Sequence, residues 1–164
     1  MVVGRLNKAL AGRDGAFPAA SLTLASDDID SAETLRQALS TSRIGDAESG
    51  RTNAGPHLVD LAARHTQKRA DARDCSTGEQ KALLISIILA FARELTEARE
   101  GLAPLLLLDE IAAHLDSIRR EALFAEIADL SAQAWMTGTD LSLFEAARAQ
   151  IFEVRDGNFR EAGA

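Results

Sequence analysis

The run of four leucines from Leu105 to Leu108 constrains the fold of this chain more than any other feature. A short, continuous apolar run is typical of a parallel strand whose two faces are both buried. A long apolar helix is predicted before it, from Thr77 to Arg99, and another helix is predicted after it, from Ser117 to Leu130. A strand between two helices indicates an α/β fold with a mostly parallel sheet flanked by helices.

The remaining predicted elements follow the same alternation, and Gly55-Pro56 divides the chain into a turn-rich part (1–55) and a regular part (56–164). Trp135, on one of the predicted strands, is expected in the core. In chain order, the further predictions are a strand at Phe17 to Ala25, a helix at Ser31 to Ser42 capped by Ser31, strands at His57 to Arg64 and Gln133 to Thr137, a short helix at Leu141 to Ala147, and a strand at Ile151 to Val154 that turns at Asp156-Gly157-Asn158 into a hairpin.

The composition predicts an ordinary folded domain without a membrane partner. The 164 residues are 46% apolar, which is enough to bury a core. The longest apolar run, Ala82 to Ala92, has eleven residues and contains Ser86, so it is too short for a membrane span. Cys75 is the single cysteine, which allows no intramolecular disulfide. We therefore expect a cytoplasmic protein.

The charge is distributed unevenly along the chain. The formal net charge is −7, which argues against non-specific binding of nucleic acid over the whole surface. Residues 1–75 carry ten basic and ten acidic side chains, whereas residues 76–164 carry eight and fifteen. A DNA-binding surface is therefore expected in the first part. The basic tract from His65 to Arg73 is the one local cluster there; it is either a solvated loop or a phosphate-binding patch.

The segment from Ser76 to Gln80 opens the long apolar helix. Ser76 precedes Glu79 by three residues, which is the spacing of a helix capping box. A helix start also offers free N–H groups and the positive end of the helix dipole, with Gly78 permitting close approach and the hydroxyls of Ser76 and Thr77 as donors. Alone, the segment is a cap; with the acidic residues farther along, it is a candidate phosphate receptor.

Two acidic residues, Asp109 and Glu110, follow the leucine run directly. Ligands bind at the carboxyl ends of strands in open α/β sheets. One carboxylate there can hold Mg²⁺ and the next can deprotonate an attacking water in phosphoryl transfer; the alternative is that the pair only caps the following helix. A third segment, Ala113 to Asp116, ends in an acid that could cap the next helix and reach across a subunit boundary.

Together these motifs resemble the ATPase heads of the ABC superfamily, and within it most closely the RecF family of recombination and replication-repair proteins. The resemblance covers residues 55–160 well and the earlier part weakly. Its segments are Gly55-Pro56-His57 with Asp60-Leu61 for the GPH-x-x-DL stretch, CSTGEQKALL for the signature motif, LLLLDE for the Walker B strand and AAHLD for the D-loop.

The resemblance implies a head-to-tail dimer in which the signature motif of one head closes over ATP held by the other. Ser76, Thr77, Gly78 and Gln80 would then contact the partner's ATP, and Asp116 would couple the two sites. Asp109 would serve Mg²⁺, and Glu110 would be the general base. Thr139 stands in the switch loop at the position of a γ-phosphate sensor, where many ABC proteins have histidine.

The implied partners are DNA, single-stranded or gapped duplex, an ATP-dependent second copy, and recombination mediator proteins. One element of the site is missing, because no G-x-x-x-x-G-K-S/T loop occurs in the sequence. We therefore expect the C-terminal portion of a RecF-like head, with residues 1–55 a remnant of an inserted helical arm, and no ATP hydrolysis by this chain alone. ATP and Mg²⁺ binding would need the absent Walker A half.

Three alternatives remain open. An SMC-type head would carry a long heptad arm, and no heptads are visible. A non-catalytic module would keep the ABC-like fold for dimerisation or for docking a partner, with the motifs surviving as caps. A metal-dependent hydrolase that uses Asp109 and Glu110 without nucleotide would need further carboxylate or histidine ligands at the strand end, so it is the least favoured.

Overall fold

The computed structural model describes residues 2–13, 15–25 and 31–162. The chain forms two compact units, one of Met1–Asp14 with Pro18–Ile87 and the other of Gly15–Phe17 with Ile88–Ala164. The boundary between Ile87 and Ile88 lies inside one long helix. The sequence-based division into residues 1–55 and 56–164 stays a prediction, because it concerns the origin of the segments and not their compactness.

The first unit contains a three-stranded antiparallel sheet in the order β1-β2-β3. Its strands are β1 (Ala20–Ala25), β2 (Asp60–His65) and β3 (Ala70–Asp71). In the β1–β2 register, Ala20 lies opposite His65 and Ala25 opposite Asp60. The predicted strand at Phe17 to Ala25 is therefore confirmed with a later start.

Helix α1 (Val2–Ala11) packs on β1 and was not predicted from the sequence. Leu6 and Leu10 lie four residues apart, on one face of the helix, and both are buried. Asn7 fixes the helix to the strand, because its side-chain amide donates to the carbonyl of Leu22 at 2.8 Å and accepts from the N–H of Leu22 at 2.7 Å. The helix was missed because the segment is short and only two leucines mark its buried face.

Helix α2 (Ala32–Ser49) confirms the predicted helix and extends it beyond Ser42. Ser31 is the N-cap, accepting at its hydroxyl from the N–H of Thr34 at 3.1 Å. The helix ends at Gly50, whose φ of 65° is left-handed and whose N–H donates to the carbonyl of Asp46. No residue of α2 is buried, so tertiary packing contributes little to this helix.

The predicted strand from His57 to Arg64 is wrong in its first part. Pro56–Leu58 forms a 3-10 turn, and β2 begins only at Asp60. Gly55 has a φ of 143°, and a Cβ there would lie 2.9 Å from Nδ1 of His57. The ring of His57 in turn contacts the carbonyl of Thr52 through Nε2 at 3.0 Å. The turn thus depends on the conformation of Gly55 and on the side chain of His57. Neither feature produces a periodic pattern of apolar residues in the sequence.

Helix α3 (Thr77–Ala98) confirms the long apolar helix to within one residue at its end. Ser86 is fully buried among its apolar residues. Its hydroxyl donates to the carbonyl of Pro18 at 2.8 Å, and its own carbonyl accepts from the Arg13 guanidinium at 2.9 Å. The buried hydroxyl is therefore satisfied, as burial of a polar group requires. The buried residues of α3 are Ala82, Leu83, Ile85, Ser86, Leu89, Ala90 and Ala92.

The second unit confirms the α/β class with a small parallel sheet. Strand β4 (Leu106–Leu108) pairs in parallel with β5 (Ala134–Met136), and helix α4 (Ser117–Asp129) connects them. Strand β6 (Phe152–Arg155) was expected in this sheet, but it pairs instead with β7 (Asn158–Glu161) in the antiparallel hairpin predicted at Asp156-Gly157. Among the described residues, the parallel sheet therefore has two strands.

The leucine run is buried on one face and not on both. Leu106 and Leu108 are buried, whereas Leu107 between them is 73% exposed. Trp135, opposite Leu107 in the register, is 50% exposed, so its prediction as a core residue is wrong. Its ring stacks on Phe152, with centroids 6.4 Å apart. Composition alone cannot distinguish a strand covered on both faces from one covered on a single face.

No helix among the described residues combines the length and the apolar character that a membrane crossing requires.

Candidate nucleotide-binding site

The predicted site residues form two groups, and each group lies within one unit. The signature residues 76–80 lie in the first unit, and the acidic residues with the switch loop lie in the second.

The signature segment forms the start of α3, with Ser76 directly before the first helical residue, Thr77. The Glu79 carboxylate accepts from the N–H of Ser76 at 3.1 Å, which is the glutamate half of the predicted capping box. The same carboxylate accepts from the ammonium of Lys68 in the β2–β3 turn. These bonds, the one from Lys68 first, lower the pKa of Glu79 to about 2.

The start of α3 has the features that a phosphate receptor needs. Ser76, Thr77 and Gly78 are exposed. A Cβ at Gly78 would meet nothing within 4 Å, so the approach to the backbone is open. Because the helix dipole places positive charge here, these residues fit a phosphate group of ATP.

Gln80 is held by its own loop in this structure. Its side-chain amide donates to the carbonyl of Arg73 at 3.2 Å and to that of Cys75 at 3.1 Å. The side chain therefore orders the segment that leads into the helix. Its predicted contact with ATP stays a prediction.

The acidic pair lies at the carboxyl end of β4, beside the end of β5. The Thr137 hydroxyl donates to Oδ1 of Asp109 at 2.5 Å and accepts from the N–H of Glu110 at 3.0 Å. The N–H of Thr137 also donates to the carbonyl of Leu108 at 3.1 Å, which continues the ladder beyond β5. One threonine thus contacts both members of the predicted catalytic pair.

Glu110 has a left-handed backbone, with a φ of 52°. This conformation is unfavourable for a residue with a Cβ and is characteristic of sites where the surrounding structure imposes it. The chain therefore turns sharply after Asp109. In a continuing strand the two successive carboxylates would point to opposite faces of the sheet, so this turn changes the direction of Glu110 relative to Asp109.

The predicted D-loop is a 3-10 turn at Ala112–His114 followed by the N-cap of α4. Asp116 is that cap: its Oδ1 accepts from the N–H of Arg119 at 2.8 Å, as predicted. Its Oδ2 lies 3.6 Å from the Arg119 guanidinium, and its side chain is 57% exposed. Leu115 before it is buried and anchors the turn. The exposure is compatible with the predicted contact across a subunit boundary, which stays a prediction.

The switch loop follows β5, and Thr139 is exposed within it. A Cβ at Gly138 would lie 2.8 Å from the ring of Phe144, so a larger residue would displace the loop. Asp140 accepts from the N–H of Ser142 at 2.9 Å, and this bond is the main reason that the pKa of Asp140 is lowered. The loop is therefore held on both sides of Thr139.

The donor set fits a magnesium ion that is shared with a nucleotide. Among the described residues, no three His, Cys, Asp or Glu side chains converge as a metal cluster would require. Mg²⁺ in phosphoryl-transfer sites typically takes one or two carboxylates and completes its shell with phosphates and water. Asp109 fits that role.

Thr137 was not identified from the sequence as a site residue. The available signal was its position: it follows a predicted strand, and the carboxyl ends of parallel strands meet at one edge of the sheet. A threonine in a sequence does not by itself indicate a functional site. Thr137 comes close to Asp109 and Glu110 only because β4 pairs with β5.

The parallel pair with acids at its end and the cap at Asp116, in the second unit, and the open helix start, in the first, are the features in which the chain resembles ABC-type ATPase heads. Solved structures agree in fold. One of the recombination mediator protein RecF with ATP, in the RecFOR pathway, matches with a TM-score of 0.67 at 21% identity, covering 99% of this chain and 43% of that one. An SMC head bound to the C-terminal winged-helix domain of ScpA matches with a TM-score of 0.53 at 18% identity, covering 98% and 42%.

The curated relatives identify the family. The DNA replication and repair protein RecF of Agrobacterium fabrum is 49% identical over 168 aligned residues, which cover 95% of this chain and 44% of the relative. RecF of Rhizobium leguminosarum bv. trifolii is 50% identical over 155 residues, covering 88% and 41%. The chain belongs to the RecF family, and it spans about two fifths of the length of these relatives. No protein-family model matches it.

Proposed function

We propose that this chain is the C-terminal part of a RecF-like, ATP-dependent DNA-binding protein of DNA repair, recombination and replication. ATP bound between two heads drives their dimerisation on DNA, and hydrolysis releases the dimer. The chain supplies the signature motif, the Walker B acids and the D-loop. A separate segment with a P-loop completes the head, and we expect no hydrolysis by this chain without it.

The observation that carries this proposal is the pair of acids at the end of a parallel strand, bonded through Thr137 to the end of the neighbouring strand. A cap for the next helix would not need this arrangement, because Asp116 already caps α4. The left-handed backbone of Glu110 is also costly, and the bond to the Thr137 hydroxyl holds it. The geometry therefore favours catalysis over capping for Asp109 and Glu110.

In the proposed reaction, Glu110 accepts the proton of the attacking water. Asp109 holds Mg²⁺, which when bound neutralises the charge of the phosphates and orients them. Thr139 lies where the switch loop would monitor the γ-phosphate. Asp116 keeps its cap on α4 and presents an exposed carboxylate edge to the opposite head.

In the proposed dimer, the start of α3 is the receptor for the partner's ATP. The N–H groups of the first turn and the hydroxyls of Ser76 and Thr77 donate to phosphate oxygens, which the open space at Gly78 admits. Gln80 contacts the nucleotide from the same turn. Since these donors meet ATP only when a second head brings it, ATP acts as a dimerisation switch.

The proposed partners are single-stranded or gapped duplex DNA and recombination mediator proteins, in the cytoplasm. The relatives are named DNA replication and repair proteins, and one structural neighbour is named a recombination mediator protein. The basic residues of the first 75 positions, balanced in number by acids, are where a DNA contact is expected.

The test combines this chain with a separately expressed N-terminal RecF-family half that carries a P-loop. ATP hydrolysis and dimer formation are measured for each part and for the mixture, with and without gapped DNA. We expect activity only in the mixture, and a loss of about 10²- to 10⁴-fold with Glu110→Gln, the range for removal of a general base. Dimers of the Glu110→Gln mixture should persist with ATP.

Two outcomes would contradict the proposal. A mixture that is folded and associated but hydrolyses no ATP would favour a non-catalytic module. A mixture in which Glu110→Gln retains full activity would remove Glu110 from the role of base. Glu121→Gln, an exposed glutamate of α4 in the same unit, is the matched control and should hydrolyse ATP normally.

A further inference from the structure

The Thr137 hydroxyl occupies a position that no predicted role explains. It lies one residue beyond β5, and it bonds to two groups 27 and 28 residues away along the chain. Both partners belong to the acidic pair: Oδ1 of Asp109 accepts the hydroxyl proton, and the N–H of Glu110 donates to the hydroxyl oxygen. A hydroxyl is the smallest side-chain group that can donate and accept at once.

Each of the two bonds fixes a different degree of freedom. The bond to Oδ1 fixes the rotation of the Asp109 carboxylate, so its other oxygen has a defined direction. The left-handed turn takes the N–H of Glu110 out of the strand ladder. The Thr137 hydroxyl accepts a hydrogen bond from this N–H in place of a ladder partner. Without the hydroxyl, the carboxylate can rotate and the turn loses a partner that favours it.

We propose that Thr137 is a positioning residue of the ATPase site: its hydroxyl sets the direction of the Asp109 carboxylate toward the metal and holds the turn that aims Glu110. This inference rests on the proposed function. In this role Thr137 acts through the two acids and does not itself bind the nucleotide. Outer-shell partners of metal-binding carboxylates typically contribute 10- to 100-fold in metal affinity or activity.

Two substitutions separate the hydroxyl from the shape of the side chain. Thr137→Val has nearly the same shape and lacks the hydroxyl, whereas Thr137→Ser keeps the hydroxyl and lacks the methyl group. Thr23→Val is the control, because Thr23 is an exposed threonine on β1, in the other unit. If the hydroxyl is what matters, serine restores the behaviour that valine removes.

The first measurement is the Mg²⁺ dependence of ATP hydrolysis by the mixture of this chain with the P-loop half. For Thr137→Val we expect kcat to fall about 10-fold or more, and the Mg²⁺ concentration at half-maximal rate to rise by about 10- to 100-fold. The KM for ATP should stay within about twofold, since a positioning residue does not bind the nucleotide. Thr137→Ser and Thr23→Val should match the unaltered mixture.

The second measurement needs no activity and uses this chain alone. Thermal unfolding is followed for Thr137→Val, Asp109→Ala and the double variant. Because the two side chains share a hydrogen bond, the loss of Tm in the double variant should be smaller than the sum of the two single losses. The pair Thr23→Val with Asp109→Ala should be additive, since the two residues lie in different units.

The outcomes distinguish this inference from the function on which it rests. An active mixture in which Thr137→Val keeps its rate and its Mg²⁺ requirement overturns the positioning role and leaves the ATPase proposal intact. Additive Tm losses for Thr137 and Asp109 also overturn it. A mixture without any activity overturns the proposed function, and the positioning role fails with it.

Discussion

The two groups of predicted site residues, one half in each unit, are constructed in different ways. At the start of α3, the contacts of Ser76, Glu79 and Gln80 reach residues at most eleven positions away. At the end of β4, the contacts of Asp109 and Glu110 reach Thr137, which is 28 and 27 positions away, respectively. The first half is thus determined by its own neighbourhood in the chain, and the second by the pairing of two strands.

The halves differ also in strain. Thr77 and Gly78 begin an ordinary helix, and the Cβ position of Gly78 is open. Glu110 instead has a left-handed backbone, which costs about 1–2 kcal/mol for a residue with a Cβ. Of the predicted site residues, only Glu110 thus has a left-handed backbone. Three predictions test this difference.

The largest effect on dimerisation is expected from a charge at the relaxed half. Gly78→Asp adds a carboxylate to open space in the first turn of α3, where the helix dipole favours a negative charge. Stability should therefore be unchanged or slightly higher. Phosphate would now meet a like charge, at a cost of about 3 kcal/mol, so dimerisation with a slowly hydrolysed ATP analogue should weaken about 100-fold.

Sedimentation of the mixture with the P-loop half measures that loss, and urea unfolding of this chain measures stability. Gly4→Asp is the matched control, because Gly4 is also in the first turn of a helix, α1, and also has open space around its Cβ position. It should dimerise normally. If Gly78→Asp dimerises as well as Gly4→Asp, the start of α3 is not a nucleotide receptor.

The contrast between the halves also decides what could be predicted from sequence. The helix starts at Ser31 and Thr77 were predicted closely, because a hydroxyl cap followed by a helical segment is a local signal. The acids at the strand end were identified because the leucine run marks the strand. Thr137 was missed, because its importance arises only when β5 pairs with β4.

The errors have the same physical origin. Leu107 and Trp135 were expected inside, yet the sheet face they share is exposed, and an apolar run does not state how many faces are covered. Strand β6 was expected both to follow the α/β alternation and to turn into a hairpin, and only the hairpin formed, because it pairs with the strand next in sequence across a two-residue turn. Such local antiparallel pairing closes a much shorter loop than pairing in a parallel sheet would.

The second prediction tests the strained half. At Glu110, glycine tolerates the left-handed backbone and alanine does not, so the free energy of unfolding of Glu110→Gly should exceed that of Glu110→Ala by about 1 kcal/mol. Both variants should lose ATP hydrolysis, because both lack the carboxylate. Urea unfolding of this chain gives the difference in stability.

A glutamate within a helix provides a control in which the order of stability of the glycine and alanine variants should be reversed. At Glu121, an exposed residue in α4, glycine should be less stable than alanine by about 1 kcal/mol. If the alanine variant were the more stable one at both positions, Glu110 would not have a left-handed backbone in solution. The two halves would then not differ in backbone strain.

The smallest effect concerns the ion pair that braces the relaxed half. The bonds from Lys68 and from the N–H of Ser76 lower the pKa of Glu79 from 4.5 to about 2, so the stability that its ionised form contributes is present in full above about pH 4.5. A carboxyl whose pKa is lower in the folded state contributes stability that disappears as pH falls through that range. The advantage of the unaltered chain over Glu79→Gln should therefore be present at pH 6 and should shrink toward pH 2.

Urea midpoints of the unaltered chain and of Glu79→Gln between pH 6 and pH 2 measure this difference. Subtracting one midpoint from the other cancels the effect of the carboxyls that titrate in both chains. Lys68→Met removes the same pair from its other side and should reproduce the effect, and added salt should weaken it because the pair is exposed. A pH-dependent difference that persists in the Lys68→Met chain would mean that Glu79 acts only as a cap for Ser76. The start of α3 would then depend on still more local contacts, and its contrast with the end of β4 would be sharper.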